Sequence, residues 1–535
     1  MPDRSFLRRK GATRWAATGL AMCLGWQPWM AQAQTAAPGI ALIDVLRGSL
    51  KQNPNTQLQQ QQVIASQGAI LQAQGQFDPQ LSANITRQRD LRSLRRDEIV
   101  NLEAAGIQGV DRQTTDVTTW RAGVEQILLN GVAVGGNVAV TKTDDTTAQQ
   151  GQLPAQTLGR LNFTLRVPLM RNVGRDVVGA GVFAAEAENK AALYDLVQTN
   201  AQTVLNSTLA YWDYLARQRR LSIAINSEQR AGALNDEMNK LIKADQVPRA
   251  ELELLLASRA EKTIARVQAE QAFVEARRTL ARAIGLPADQ SVALPDPADE
   301  FPTYQGQALD GDALPDILLR SAAVRARADL EANRQREAAA RYRLVAARNG
   351  LKPQVDFNLN LGYGTLAEGR GPYDLERLLY QGRVGPSFGA SLGIQLPYGN
   401  SAARGALMVQ SAAYDASTIR IRELEASIGN NVAVQIEALR RAALQLAEGA
   451  EAVKRYATTL INERTKRRLG QSTLIDVITV QDRFDNAHAA QVQLQQGYAI
   501  AIAQLRFELG MLVRQEGESF DVRVEDLTSI DFKPG

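Results

Sequence analysis

Leu469-Gly470-Gln471-Ser472-Thr473-Leu474-Ile475-Asp476-Val477 has a counterpart 225 residues earlier, in Ala244-Asp245-Gln246-Val247-Pro248-Arg249-Ala250-Glu251-Leu252. The same offset carries Ile284-Gly285-Leu286 onto Leu509-Gly510-Met511. Val167-Pro168 matches Leu396-Pro397 at an offset of 229, and Asp78-Pro79-Gln80 resembles Lys352-Pro353-Gln354. Each match is short, but their shared order and near-constant offset mark an internal duplication. Such a period must be read before length is turned into a domain count. The 535 residues are two copies of one unit: helix, proline, strands ending in proline, very long helix, break, helix, glycine.

The long helices follow from composition. From Asp176 to Lys243 there is no proline, and Ala, Leu, Gln, Glu and Arg dominate. These are helix formers. Val197, Val204, Tyr211, Gln218 and Ile225 recur every seven residues, with Leu193, Asn200, Ser207, Tyr214 and Leu221 four positions before them. This is a heptad seam diluted with polar and small residues. Leu205, Leu209, Trp212 and Leu215 add a second apolar face. A helix of about 68 residues is ~100 Å long and cannot wrap one compact core. Two contact faces suit a closed ring of helices better than a two-stranded rod.

The first repeat is expected over 34–285, with a helix about 40–74, strands about 77–168, a long helix 176–245 and a helix 248–284. The second is expected over 309–512, with a helix about 309–348, strands about 353–397, a long helix 402–469 and a helix 473–511. A link over 286–308, rich in proline (Pro287, Pro295, Pro297, Pro302), joins them, and 513–535 form a tail. Proline breaks helix by removing a donor and clashing with the preceding turn.

Between the helices the pattern changes to period two. Leu81, Ala83 and Ile85 alternate with Ser82, Asn84 and Thr86; Phe388, Ala390, Leu392 and Ile394 alternate with Gly389, Ser391 and Gly393. Strands of about ten residues with one apolar and one polar face are the signature of a membrane β-barrel. A soluble β-sandwich alternates in the same way. Phe77, Trp120, Phe163, Tyr363, Tyr373, Phe388 and Tyr398 cluster near strand ends, as a girdle at a membrane interface would. Each strand group is too small to close alone, and a bilayer tolerates no open sheet edge. Several chains must therefore share one barrel.

The N-terminus gives the compartment. Arg4, Arg8, Arg9, Lys10 and Arg14 precede an apolar stretch and Ala31-Gln32-Ala33. That is the layout of a secretory signal peptide, expected over 1–33. The leader holds five of the 61 Lys/Arg and one of the 57 Asp/Glu. The remainder is balanced in charge and gives no sign of nucleic-acid binding. Cys23, the one cysteine, lies in the leader. A lipobox there would place Met22 where a small residue is wanted, so lipidation is not the preferred reading. Without cysteine, and with His488 the one histidine, neither a metal site nor a histidine triad has support. No phosphate-binding loop occurs, no cofactor is expected, and an enzyme is the least supported class.

The duplicated units, the strand ends Val167-Pro168-Leu169 and Leu396-Pro397-Tyr398, and the turn Leu469–Val477 together resemble the TolC family of outer-membrane efflux and secretion channels. The resemblance covers nearly the whole chain after the leader. It implies a mainly α protein with membrane β: a homotrimer with one shared transmembrane β-barrel and a periplasmic α-helical barrel. It also implies a passive exit duct in the outer membrane of a Gram-negative bacterium, with an inner-membrane transporter and a periplasmic adaptor as partners. A periplasmic adaptor and a structural coiled-coil protein of the envelope are the alternatives. An adaptor would lack the duplicated strand groups.

One departure stands out. The family's usual protomer has two strands per repeat, but Pro79 to Pro168 is far longer than Pro353 to Pro397. The excess includes 120–127 and 132–140, read as a hairpin turning near Asn130-Gly131, a favoured turn pair. Over 117–143 the hairpin either adds two strands to the sheet or folds outside it; insertion is the preferred reading.

By the resemblance, Asp476 is the candidate gate carboxylate, with Glu251 as its repeat mate and Thr479 at the family's second ring position. A ring of carboxylates favours cations. Thr473 and Asp476 also have capping-box spacing, a compatible structural role. Gly470 is the candidate hinge. Arg464, Lys466, Arg467 and Arg468 before it either bridge to neighbouring helices or complement a helix C-terminus.

Overall fold

The computed structural model describes residues 39–243, 250–304, 316–369, 383–516, 519–523 and 525–529. The expected leader, Cys23, Pro248 and Tyr373 lie outside them. The first repeat contains α1 (Leu42–Gln52), α2 (Pro54–Gln74), β1 (Gln80–Ser93), β2 (Arg112–Ile127), β3 (Ala133–Asp145), β4 (Gln156–Pro168), α3 (Ala180–Lys243) and α4 (Ala250–Ile284). The second contains α5 (Asp316–Ala326), α6 (Ala328–Asn349), β5 (Gln354–Glu368), β6 (Arg383–Gln395), α7 (Ser401–Arg468) and α8 (Leu474–Glu508). The long helices α3 and α7 have 64 and 68 residues, ~100 Å each at 1.5 Å per residue.

Three boundaries differ from expectation. The helix expected over 40–74 is two helices, because Pro54 occupies the first turn of α2. Proline tolerates that position but cannot continue α1. The helix expected over 309–348 is likewise split, at Arg327. The tail is not featureless: Arg514–Glu516 pairs with Ser519–Asp521, and a short helix Glu525–Thr528 follows.

In each repeat a glycine presses on the split. Gly285 follows α4 with φ +94°, and a Cβ there would lie 2.5 Å from the carbonyl oxygen of Gln52. Gly510 follows α8 with φ +70°, and a Cβ there would lie 3.0 Å from the carbonyl oxygen of Ala326. Both the left-handed conformation and the close approach call for glycine. Asn53 Nδ2 crosses the first joint to donate to the Ala283 carbonyl at 2.9 Å. Across the second, Arg327 donates to Glu508 at 2.7 Å and pairs with Asp329.

The core forms a collar around the middle of the helices. In the first repeat Leu42, Val45 and Leu46 of α1 bury against Tyr211, Trp212 and Leu215 of α3 and Leu280 and Ile284 of α4. The link supplies Leu294 and Phe301, and the tail Val522 and Leu527. Asp299 of the link accepts from Leu42 N and from the Tyr211 hydroxyl, both at 2.6 Å, so it caps the start of α1 and ties it to α3. Burial and the Asp299 carboxylate push the Tyr211 hydroxyl well above the ordinary phenol range. In the second repeat's collar α7 contributes only aliphatic groups, Ile428, Val432, Ile436 and Leu439, which pack with Leu330, Ile502 and Tyr498.

The strands form one six-stranded antiparallel sheet in the order β1-β2-β3-β4-β5-β6. The hairpin of the first repeat is inside this sheet, between β1 and β4. Its loop runs from Leu128 to Val132, closed by Leu128 N donating to the Val132 carbonyl at 2.8 Å. The helices connect at one end of the sheet, through Gln80, Pro168, Gln354 and Gln395. β1 and β6 each leave one edge without a partner among the described residues.

Candidate functional site

Two regions carry the chemistry, and they lie at opposite ends of the long helices. The first is the turn from α7 to α8. Gly470 holds φ +76° and its N donates to the Arg467 carbonyl, while Gln471 N returns to Lys466. This satisfies carbonyls that α7 leaves open at its end. Thr473 N and Thr473 Oγ1 both donate to Asp476 Oδ2, at 3.0 and 2.6 Å, and Asp476 N donates back to Thr473 Oγ1 at 3.3 Å. The capping box expected from their spacing is present. These hydrogen bonds from Thr473 hold the Asp476 carboxyl below the usual carboxylate range, although it is exposed.

Other residues expected here fall differently. Thr479 Oγ1 donates to the Ile475 carbonyl of its own helix. The Glu251 side chain lies outside the described residues. Lys466 pairs with Glu463 one turn earlier, and Glu463 also accepts from Ser472. Arg464 reaches Gln481 of α8 at 2.7 Å, and Arg468 reaches Thr465. No cation of this cluster pairs with a carboxylate of another helix of the same chain among the described residues. His488 packs against Phe484 of the same helix.

Asp485 is the residue sequence reasoning missed. It is 7% exposed, and accepts from Ser227 Oγ at 2.7 Å, Arg230 at 2.6 Å and Gln481 at 3.0 Å. It thereby ties α8 to α3 across the two repeats. Next to it, a cavity of about 890 Å³ separates the two helical hairpins, lined by Leu234, Leu255, Ile478 and Arg467 among others. Nothing in the sequence joined Arg230 to Asp485, which are 255 positions apart.

The second region is the sheet. Its register puts Ile85, Trp120, Val138, Leu161, Phe163, Tyr363, Phe388 and Leu392 on one face, because residues of equal parity face the same way along each paired row. All four expected interface aromatics that lie in strands share this face. Phe163 and Phe388 are largely exposed, and so is Tyr398 beyond β6. The opposite face carries Asn84, Arg121, Asn137, Arg160, Asn162 and Asn360. A sheet exposing apolar groups on one side and polar groups on the other suits a lipid–water boundary. No helix among the described residues is long and apolar enough to cross a membrane.

This fold is that of the outer-membrane channels. The chain is similar to the solved channel CmeC of Campylobacter jejuni, at TM-score 0.61 and 12% identity over 90% of each chain. It is similar to VceC of Vibrio cholerae, at TM-score 0.60 and 16% identity over 88% of this chain and 96% of that one. MtrE of Neisseria gonorrhoeae gives TM-score 0.57 and 16% identity over 88% and 89%. A search of curated proteins found no match. Residues 319–511, nearly the whole second repeat, match the model of the outer membrane efflux protein family. The matched region and the fold together mark an outer-membrane efflux channel subunit, of a class of passive ducts and not of enzymes.

Proposed function

We propose that three copies of this chain close one barrel of eighteen strands in the outer membrane, with the long helices continuing it as a tunnel through the periplasm. The carrying observation is the pair of open sheet edges. An unpaired edge is untenable in lipid, where every backbone group must be satisfied. β1 and β6 run in opposite directions, so the β6 of one copy can pair with the β1 of the next and continue the antiparallel order around a ring. A barrel of sixteen to eighteen strands leaves an aqueous channel.

In this reading the α7–α8 turn stands at the far, narrow end of the tunnel. Three Asp476 carboxylates there make an acidic ring that favours cations, and Gly470 is the hinge. Arg467 and Arg468 line the approach, with Thr479 and Glu251 as secondary candidates. Trp120, Phe163, Tyr363, Phe388 and Tyr398 sit at the membrane interfaces. Leu469 and Ile475 are exposed apolar groups at the turn, which supports docking of a periplasmic adaptor and an inner-membrane transporter there. Nothing among the described residues suggests an energy source, so the partner must supply it.

Purified protein gives the test, by light-scattering mass in detergent and by conductance in planar bilayers. A trimer forming pores is expected. A monomer without pores overturns the reading. Asp476→Ala pores are expected to lose part of their cation preference; unchanged preference overturns the gate assignment alone.

A further inference from the structure

The polar face of the sheet is not uniform. One paired row reads Asn84, Arg121, Ala139, Arg160, Gly364, Gly385 from β1 to β6. Arg121 and Arg160 flank Ala139, two strand spacings apart, or about 10 Å. Both are exposed, and neither has a hydrogen-bond or ion-pair partner among the described residues. By contrast, Arg89 on the other face pairs with Asp116 at 2.7 Å, and Lys142 with Asp144 at 2.8 Å. The nearest carboxylate to Arg121 on its own face of β2 is Glu125, four residues later or about 13 Å away.

The second repeat contributes glycine to this row. A Cβ at Gly385 would meet nothing within 4 Å, and one at Gly364 would meet only ordinary contacts near 3.8 Å. Packing therefore does not demand glycine at either position. Their effect is to leave the space beside the two guanidiniums open to water. The row lies between the level of Trp120 and that of Tyr363 and crosses the middle of the sheet: Arg121 is nearer the helix-side end of β2, and Arg160 nearer the far end of β4.

Resting on the shared-barrel reading, we infer that Arg121 and Arg160 form a cationic belt inside the barrel at mid-height, selecting anions and anionic groups on cargo. Three copies give six guanidiniums in three pairs, separated by open glycine arcs. Arginine stays charged at any working pH, so the belt does not titrate. Its field acts over about one Debye length, ~10 Å at 0.1 M salt, and weakens as salt rises. The belt is opposite in sign to the Asp476 ring, so barrel and tunnel end would impose different preferences.

The test is the reversal potential of single pores in a tenfold KCl gradient, near 0.1 M salt. Arg121→Gln with Arg160→Gln is expected to move it toward the potassium equilibrium potential, lowering the chloride-to-potassium permeability ratio about twofold. Arg160→Gln alone should move it part of the way, and Arg121→Lys with Arg160→Lys should keep the original value. Lys142→Gln, on the opposite face of β3, should leave it unchanged. An unmoved potential in the double Gln variant overturns the belt, as does an equal movement in Lys142→Gln. Absence of pores in the unaltered protein overturns the barrel reading instead.

Discussion

The joints of the two repeats do the same task with different chemistry. In both, a split in the first helix is pinned by a left-handed glycine and by a polar side chain reaching the end of the last helix. The first repeat uses a neutral amide, Asn53, on a backbone carbonyl. The second uses Arg327, 6% exposed, between Asp329 and Glu508. The collars diverge in the same sense. Thr203, Ser207, Tyr211 and Tyr214 are buried in α3, where α7, 225 positions later, buries Ile428, Val432, Ile436 and Leu439. Duplication conserved geometry while the bonding at each position changed.

Removing the charged clasp should have the largest effect. Arg327→Ala leaves two carboxylates without their cation at a buried joint and is expected to cost about 3–5 kcal/mol. The midpoint of thermal unfolding reads this, and adding Glu508→Gln should recover part of the loss. Gly285→Ala comes next, at about 2–4 kcal/mol, from left-handed strain plus overlap with Gln52. Gly510→Ala should cost less, because its nearest neighbour is farther off. Reversal of that order would break the geometric equivalence of the joints.

Asn53→Ala should be milder still, about 1–2 kcal/mol. It loses the bond to Ala283 and the cap on α2, where Asn53 Oδ1 accepts from Asn55 N. An Asn53→Ala loss as large as that of Arg327→Ala would erase the distinction between neutral and charged joints. The smallest effect is at the α7–α8 turn. Asp476 has a depressed folded pKa, so its contribution is present above the unfolded value and lost as pH falls through the folded one. Hydrogen exchange at the first turn of α8 should therefore quicken only in that acidic window, and Thr473→Ala should remove the pH dependence.

How far these features were legible depended on sequence distance. The repeat, the long helices and the Thr473–Asp476 cap are local or periodic, and a single strand of text displays them. The helix splits were only half visible: Pro54 was a printed stop that the surrounding helix formers masked, while Arg327 carries no breaking signal at all. The inserted hairpin was readable from Asn130-Gly131 and from length, but its place in the sheet required pairing with β1 and β4. Asp485 was invisible, because its meaning depends on Ser227 and Arg230 in the other repeat. The belt needed register: Arg121 and Arg160 stand 39 positions apart in the chain, yet Ala139 faces both.

The position of the hairpin has a bearing on how such molecules diversify. β2 and β3 enter between β1 and β4, so the outermost strands keep their identity and their opposed directions. An insertion in pairs, away from the margins, leaves the surfaces by which one copy would recognise the next untouched. In the shared-barrel reading, bore can then grow without altering the contacts between copies, as a ring is enlarged by adding links rather than by changing the clasp.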